Sequence, residues 1–295
     1  MNWILSAFAD EAADGAEGQI AALLEAGIDH IDVRNADGHN ISNMPEDYAR
    51  TMARKLEAAG IRVCMFGSPI GKIDIADDFE IDVQKMRHLG RMKQIFNADK
   101  VRIFSYWNKK GPAEEAVWRK VALERLHRLS DLAGELGLVL YHENELGIFG
   151  DYVRRVAILR DEIHAKHPGQ FKLIFDFDNF NQCGEPVADA WAKLGPAIEA
   201  IHLKESRKGP DGTFQHVPAG QGDGRIPQVL ADLAARGWNG PLTLEPHLAR
   251  SAGVVATGAH GMPNQSLKDL TPGQCFQIAA KAAKELLRQV GRLGN

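Results

Sequence analysis

Four short apolar runs in the second half of the chain each end in a side chain able to grip a divalent cation. They are LVLYHE ending at Glu143, LIFD at Asp176, AIH at His202 and LTLE at Glu245. Three carboxylates and one imidazole suit a hard cation used for chemistry better than a structural zinc. The ends recur at roughly 25–45 residues, the length of one strand-plus-helix unit. A single strand-end carboxylate is more often a helix N-cap or a salt-bridge partner, and a single histidine there a satisfied polar group. Four in succession at one structural level point instead to a shared ligand. On neighbouring parallel strands about 4.8 Å apart they would arc around one ion, with Glu143 and Glu245 at the two ends. The chemistry this suits is proton transfer at a carbon next to a carbonyl. The cation polarises the carbonyl and stabilises the enediolate, one glutamate removes the proton and the other returns one.

Such an arc needs parallel strands delivered in order, and the rest of the chain supplies them. Apolar strand-like runs begin at Trp3, Ile28, Ile61, Val101, Leu138, Lys172, Ile198 and Pro241. Amphipathic segments alternate with them. The first carries Ile20, Leu23 and Leu24 on one face and stops at Gly27. The others run over Pro45–Gly60, Phe79–Phe96, Pro112–Leu136, Tyr152–His164, Pro186–Leu194, Pro227–Ala235 and Pro272–Val290. Eight strand–helix pairs predict an α/β fold of the (β/α)8 TIM-barrel type, one domain over residues 1–295, whose active site lies at the C-terminal strand ends. The rival architecture, a doubly wound open sheet, usually carries a glycine fingerprint after its first strand, and AFADEAADG does not supply one. The longest irregular stretch, about 247–270, reads as a mobile lid or an oligomer contact.

Composition narrows the partners. The 295 residues are 44% hydrophobic and 25% charged, with a net charge of −4, so no basic field invites a nucleic acid. Cys64, Cys183 and Cys275 are too widely spaced for a disulfide framework or a CxxC metal pair, and imply a reducing compartment. The N-terminus lacks a basic n-region, and no apolar run approaches the ~20 residues of a membrane span. These features predict a cytoplasmic protein with no membrane partner.

The segments YHENELG, FDFDNFNQCGEP, IHLKES, PAGQGDG and LTLEPH resemble those of the xylose-isomerase-like sugar isomerase/epimerase superfamily of TIM barrels. The resemblance covers nearly the whole chain and is most specific at the last four strand ends. It implies a single divalent cation (manganese, magnesium or cobalt, with zinc possible) held by Glu143 of HEN, Asp176 of FDFDN, His202 of IHLK and Glu245 of LEP. It also implies that Glu143 and Glu245 form the acid/base pair, that the substrate is a small carbohydrate, and that the protein is a dimer or tetramer. Two departures stand out. Asn179 occupies the place, three residues after the aspartate, where the family often has histidine, and His142 precedes Glu143 in place of the common LEN pattern. Glu145 and Asp178, two residues beyond proposed ligands on the same strand face, compete with them.

Other residues are candidates for substrate contact. Lys204 shares the strand face of His202, Arg34 ends the second strand, and Trp107 follows the fourth and offers an apolar wall. Asn179 and His142 flank the ligand set. Arg102, inside an apolar strand, needs a carboxylate partner or an anionic ligand, with a buried structural pair the favoured reading. His247 lies two residues past Glu245. The glycine-rich PAGQGDGRI loop before a helix either holds a phosphate on its amides or, the favoured reading, forms a tight turn positioning His202 and Lys204.

These readings lead to a metal-dependent isomerase or epimerase of a small polyhydroxy carbonyl compound. A dehydratase is the near alternative, because the same enediolate can expel a β-hydroxyl. The family's AP endonucleases need three zinc ions and additional histidines, and this chain has Asn179 and TFQHVPAG where those are expected. A non-catalytic barrel that binds a sugar or a partner protein is a further alternative, against which the intact ligand set speaks.

Overall fold

Each predicted strand is short, apolar on alternate residues and closed by a turn, and all eight form. The computed structural model describes residues 2–258 and 260–293. The strands are β1 (Ile4–Ala7), β2 (His30–Val33), β3 (Arg62–Phe66), β4 (Lys100–Ile103), β5 (Val139–Glu143), β6 (Phe171–Asp176), β7 (Ile198–Leu203) and β8 (Pro241–Leu244). They make one eight-stranded parallel sheet in the order β1-β8-β7-β6-β5-β4-β3-β2. The register runs from Ile4 opposite Pro241 to Ala7 opposite Leu244 where the first strand meets the last. Between β1 and β2, Ser6 Oγ donates to Asp32 Oδ1 across 2.6 Å, and Thr243 Oγ1 on β8 donates to Asp32 Oδ2 at 2.7 Å. The buried Asp32 carboxylate thus ties three strands inside a nearly closed barrel.

The helices follow the predicted punctuation. They are α1 (Ala16–Ala26), α2 (Glu46–Ala58), α3 (Glu80–Phe96), α4 (Glu115–Leu136), α5 (Val153–Leu159), α6 (Phe177–Gln182), α7 (Val187–Leu194), α8 (Ile226–Ala235), α9 (Ala252–Thr257) and α10 (Pro272–Gln289). Gly137 ends α4 at φ 65°, a left-handed cap that lets the chain turn directly into β5. Two elements depart from the periodicity. The segment read as a helix over Tyr152–His164 is α-helical only in α5 and finishes in a π-helical turn over Arg160–His164. The unpredicted α6 starts directly after Asp176, whose Oδ1 accepts from the Asn179 amide and caps it.

The strand pleat separates two apolar clusters. Leu140, Leu173, Phe175, Ile201, Leu203, Leu242 and Leu244 face the helices in the main core. Met65, Tyr141, Ile174 and Ala200 fill the barrel interior as a separate cluster. One pleat above that plug, toward the C-terminal ends, the interior turns polar. Phe8 is the apolar exception there. The Arg34 and Arg102 guanidinium carbons lie 4.4 and 4.8 Å from its ring centre, and its edge meets the His202 ring at 5.6 Å.

The stretch over 247–270, of which Ala259 lies outside the described residues, lies against the barrel mouth and contains α9 and a 3₁₀ turn at Gln265–Leu267. Lys72 Nζ donates to Thr257 O at 3.1 Å, a His216 ring nitrogen approaches His260 O at 2.9 Å, and the Asn264 side chain donates to His216 O at 2.9 Å. No helix among the described residues is long and apolar enough to cross a membrane. All three cysteines are free thiols.

Gly67, just past β3, leaves the room that Phe8 and Arg34 occupy: a Cβ there would lie 2.6 Å from Phe8 Cε1 and 3.0 Å from Arg34 Cβ. Gly67→Ala is therefore expected to cost about 1–3 kcal/mol, the usual penalty of overpacking, read as a lower urea midpoint at an unchanged m-value.

Candidate active site

The strand ends place alternate residues inward, and at the C-terminal side these are the polar ones. Arg34 leaves β2, Arg102 lies on β4, Glu143 ends β5, Asp176 ends β6, His202 lies on β7 and Glu245 follows β8. All six are buried. Glu143, Asp176, His202 and Glu245 each offer a donor atom, and the four atoms lie within 4.8 Å of one another. His202 Nδ1 is 3.1 Å from Glu143 Oε1, 3.1 Å from Glu245 Oε2 and 3.8 Å from Asp176 Oδ2. The expected ligand set is therefore brought together at one point.

Each carboxylate in this set is tethered by a hydrogen bond at one oxygen, while the other oxygen has only ion-pair contacts. Glu245 Oε1 accepts from Arg34 Nη1 at 2.8 Å, Asp176 Oδ1 from the Asn179 amide at 2.8 Å, and Glu143 Oε1 from Asn179 Nδ2 at 3.3 Å. Glu245 Oε2, Asp176 Oδ2, Glu143 Oε2 and both His202 ring nitrogens are buried without a hydrogen bond. Buried polar atoms are rarely left so. Three converging buried carboxylates around an imidazole that has no hydrogen bond, only ion-pair contacts, have the chemistry of a divalent-cation cradle, and the residues fit the ion that the resemblance implies.

Cations of the chain itself surround the set. Lys204 Nζ lies 2.9 Å from Asp176 Oδ2 and 3.7 Å from Glu245 Oε2, and Arg102 Nη1 lies 3.2 Å from Glu143 Oε2 and 3.5 Å from Glu245 Oε1. Burial disfavours charge on Glu143, but His202 and Arg102 outweigh it and hold the carboxyl down to about 2. Burial likewise opposes a charged His202, yet Glu143 and Glu245 push its ring up to about 10. Lys204 stays protonated despite its burial because Asp176 and Glu245 face it. A bound cation would take over this pairing, leaving His202 to coordinate as neutral imidazole.

Arg34 reaches the site, but not toward a substrate. Its Nε and Nη2 donate to Asp10 at 2.8 and 2.9 Å, Nη2 also to Glu11 at 3.3 Å, and Nη1 to Glu245. With each guanidinium nitrogen engaged, it acts as a strut for Glu245. Asp10 and Glu11, on a 3₁₀ turn at Ala9–Glu11, were not singled out from the sequence. The signal was there: two acids directly after the first strand. Glu11 also accepts from the His247 amide at 2.8 Å, and burial, with Glu245 and Asp10 nearby, pushes its carboxyl up to about 8 against the pull of Arg34. Arg102 finds carboxylate partners, as its position in an apolar strand required.

Asn179 and Lys204 line the cleft above the set, a cavity of about 20 Å³. The two competitors sit higher and are otherwise engaged. Glu145 pairs with Lys72 at 2.7 Å, and Asp178 takes Gln182 Nε2 at 2.5 Å and faces His216 Nδ1 at 3.5 Å. His247 lines the cleft too, 3.6 Å from Glu245 Oε1. Two expectations are corrected. Trp107 is not among the residues lining the cleft; it lies between the loops carrying Asp74 and Ile148, with Lys109 over its ring. His142 points to the other face of β5, stacked on Phe171 with Nε2 3.0 Å from Ser105 Oγ, because adjacent strand residues alternate faces.

A family model described as xylose isomerase-like TIM barrel matches residues 20–286. No curated protein sequence matches the chain. Among solved structures, an IOLI protein with a bound zinc atom is similar with a TM-score of 0.74 at 13% identity, over 99% of this chain and 100% of that one. The probable 3-DHS dehydratase AsbF from Bacillus anthracis, involved in petrobactin synthesis, is similar at 0.71 and 16%, over 96% and 98%. A D-allulose 3-epimerase from Methylomonas sp. is similar at 0.70 and 15%, over 97% and 98%. At these identities the likeness is one of fold.

Burial drives the His142 ring down to about 3, so it is neutral in the folded protein at any ordinary pH. The unfolded chain takes up that proton below about 6.5 while the folded one does not, so stability is complete above that pH and falls as the solution is acidified toward 3. His142→Gln should remove about 1.4 kcal/mol per pH unit from the slope of unfolding free energy between about pH 4.5 and 6. Urea titrations of both proteins across that range check it, and identical slopes would contradict it.

Proposed function

The chain belongs to the xylose isomerase-like TIM-barrel family, and on that premise we propose that it is a divalent-metal-dependent isomerase or epimerase of a small sugar or other polyhydroxy carbonyl compound. The observation that carries the reading is the convergence of three buried carboxylates and the His202 ring, their donor atoms within 4.8 Å of one another and several of them without a hydrogen bond. A divalent cation bound there would polarise the substrate carbonyl and make the neighbouring C–H more acidic.

Every other role falls to the chain. Glu143 and Glu245 lie on either side of His202 Nδ1, each 3.1 Å from it, so a substrate held over the set has a carboxylate at each side. One removes the proton from the carbon next to the carbonyl, and the other delivers a proton to the neighbouring carbon or to the opposite face of the same one. The first outcome is isomerisation and the second epimerisation. Arg34, anchored on Asp10, keeps Glu245 turned so that Oε2 faces the cleft. Asn179 does the same for Glu143. Lys204 donates to a substrate oxygen, and the loops around the mouth limit the access of water.

Dehydration is the second reading, and Lys204 is the observation that favours it. Its buried ammonium beside Asp176 and Glu245 is placed to protonate a β-hydroxyl as it leaves.

Removing the metal with a chelator should abolish turnover of a responsive ketose or inosose, and manganese, magnesium, cobalt or zinc should restore it to different degrees. Glu143→Gln and Glu245→Gln should each lower kcat by about 10²–10⁴-fold, the usual contribution of a positioned acid or base. Deuterium entering product from solvent identifies proton transfer, while loss of water identifies the dehydratase. Full activity after chelation would dismiss the metal, and full activity in either glutamine variant would dismiss the acid/base pair.

A further inference from the structure

The glycine-rich loop over 218–224, between β7 and α8, stands where a barrel can hold a phosphate on main-chain amides. Here that concavity already contains a carboxylate. Glu205, the residue after Lys204, is buried beneath the loop, where Oε2 accepts from the Gly220 amide at 2.6 Å and Oε1 from the Gly224 amide at 2.9 Å. The Gln221 and Gly222 amides are also turned toward it. The loop is built to this shape: a Cβ at Gly222 would lie 2.4 Å from Ser206 O and 2.6 Å from Glu205 Cγ.

The charges around the upper cleft give a phosphate no dedicated holder. Lys72 pairs with Glu145 at 2.7 Å, Arg102 faces Glu143 at 3.2 Å and Lys204 faces Asp176 at 2.9 Å. Lys204 and Arg102 lie at the floor of the cleft against the proposed ligands, and higher up a dianion would meet Glu145 and Asp178, with Lys72 already paired to Glu145.

From this geometry we infer that Glu205 is a built-in occupant of the loop's anion site and restricts the enzyme to unphosphorylated polyhydroxy carbonyl substrates. The inference rests on the proposed function, since it narrows the substrate of that same site. It assigns Glu205 the part of a specificity-determining residue, acting through the loop it fills.

The test has two arms on the metal-loaded protein. In the first, wild-type kcat/KM is measured for ketoses offered free and as their terminal phosphate esters. The free form should be favoured by at least about 100-fold, the scale of discrimination a mismatched charged group imposes. Equal or better use of the ester would overturn the inference, whereas no turnover of either form counts against the proposed function alone. The second arm needs no substrate. Thermal unfolding of wild type and Glu205→Ala is followed with and without inorganic phosphate, so that effects of phosphate on the metal or on solvation cancel in the difference. Phosphate should raise the Tm of the variant by about 3 °C more than that of the wild type. An equal response in the two proteins would overturn the inference. Should Glu205→Ala fail to fold, Glu205→Ser, which keeps a short polar side chain and vacates the loop, takes its place with the same reading.

Discussion

The mouth of this barrel is governed by the need to hold like charges together away from water. Glu143, Asp176 and Glu245 converge within a few ångströms of His202 with almost no exposure. Carboxylates so placed repel one another and lose their hydration, so the arrangement persists only if positive charge is built in around them. Arg34, Arg102 and Lys204 provide that charge, each from a different element, and each takes a distinct carboxylate oxygen. Asp10 and Glu11 then balance Arg34 on its far side. The polar layer is thus one electrostatic unit rather than a group of independent side chains.

The unit sits where it does because of the pleat. Strand residues two apart share a face, so the apolar plug of Met65, Tyr141, Ile174 and Ala200 lies directly below the polar layer. That plug keeps water from the underside, and Phe8 closes the gap with its ring against Arg34, Arg102 and His202. The helices contribute by position rather than by chemistry. Gly137 brings β5 in immediately after α4, and Asp176 ends β6 by capping α6, which turns Asn179 back over Glu143 and Asp176. One residue at the end of a strand therefore serves as cap, ligand candidate and hinge of the next loop.

Segments above the strand ends close over the cleft. The Lys72–Glu145 pair and the Thr257 carbonyl join three separate loops over the cleft. Glu205 fills the glycine-rich loop from within. These contacts are long-range in sequence, and together they shape a narrow cleft lined largely by polar groups.

Periodicity and punctuation specified the eight strands and the order of the helices, and the recurrence at the strand ends marked the four residues that converge. Those features rest on local rules, on strand alternation and glycine or proline boundaries, and on the one-per-strand recurrence of a metal-friendly residue. The choice of Glu143 over Glu145 and Asp176 over Asp178 needed the tertiary structure, because the strands end at Glu143 and Asp176 and leave Glu145 in a loop paired with Lys72 and Asp178 in the first turn of α6. Orientation needed it too. His142 adjoins Glu143 in sequence but faces Phe171, and Trp107 ends against neighbouring loops rather than in the cleft. Arg34 was marked as reaching substrate; only the tertiary structure shows it consumed by Asp10, Glu11 and Glu245, residues up to 211 positions away. Which cations neutralise which carboxylates, and that Glu205 fills its own loop, depend on distances across the barrel. Those distances exist only after it closes.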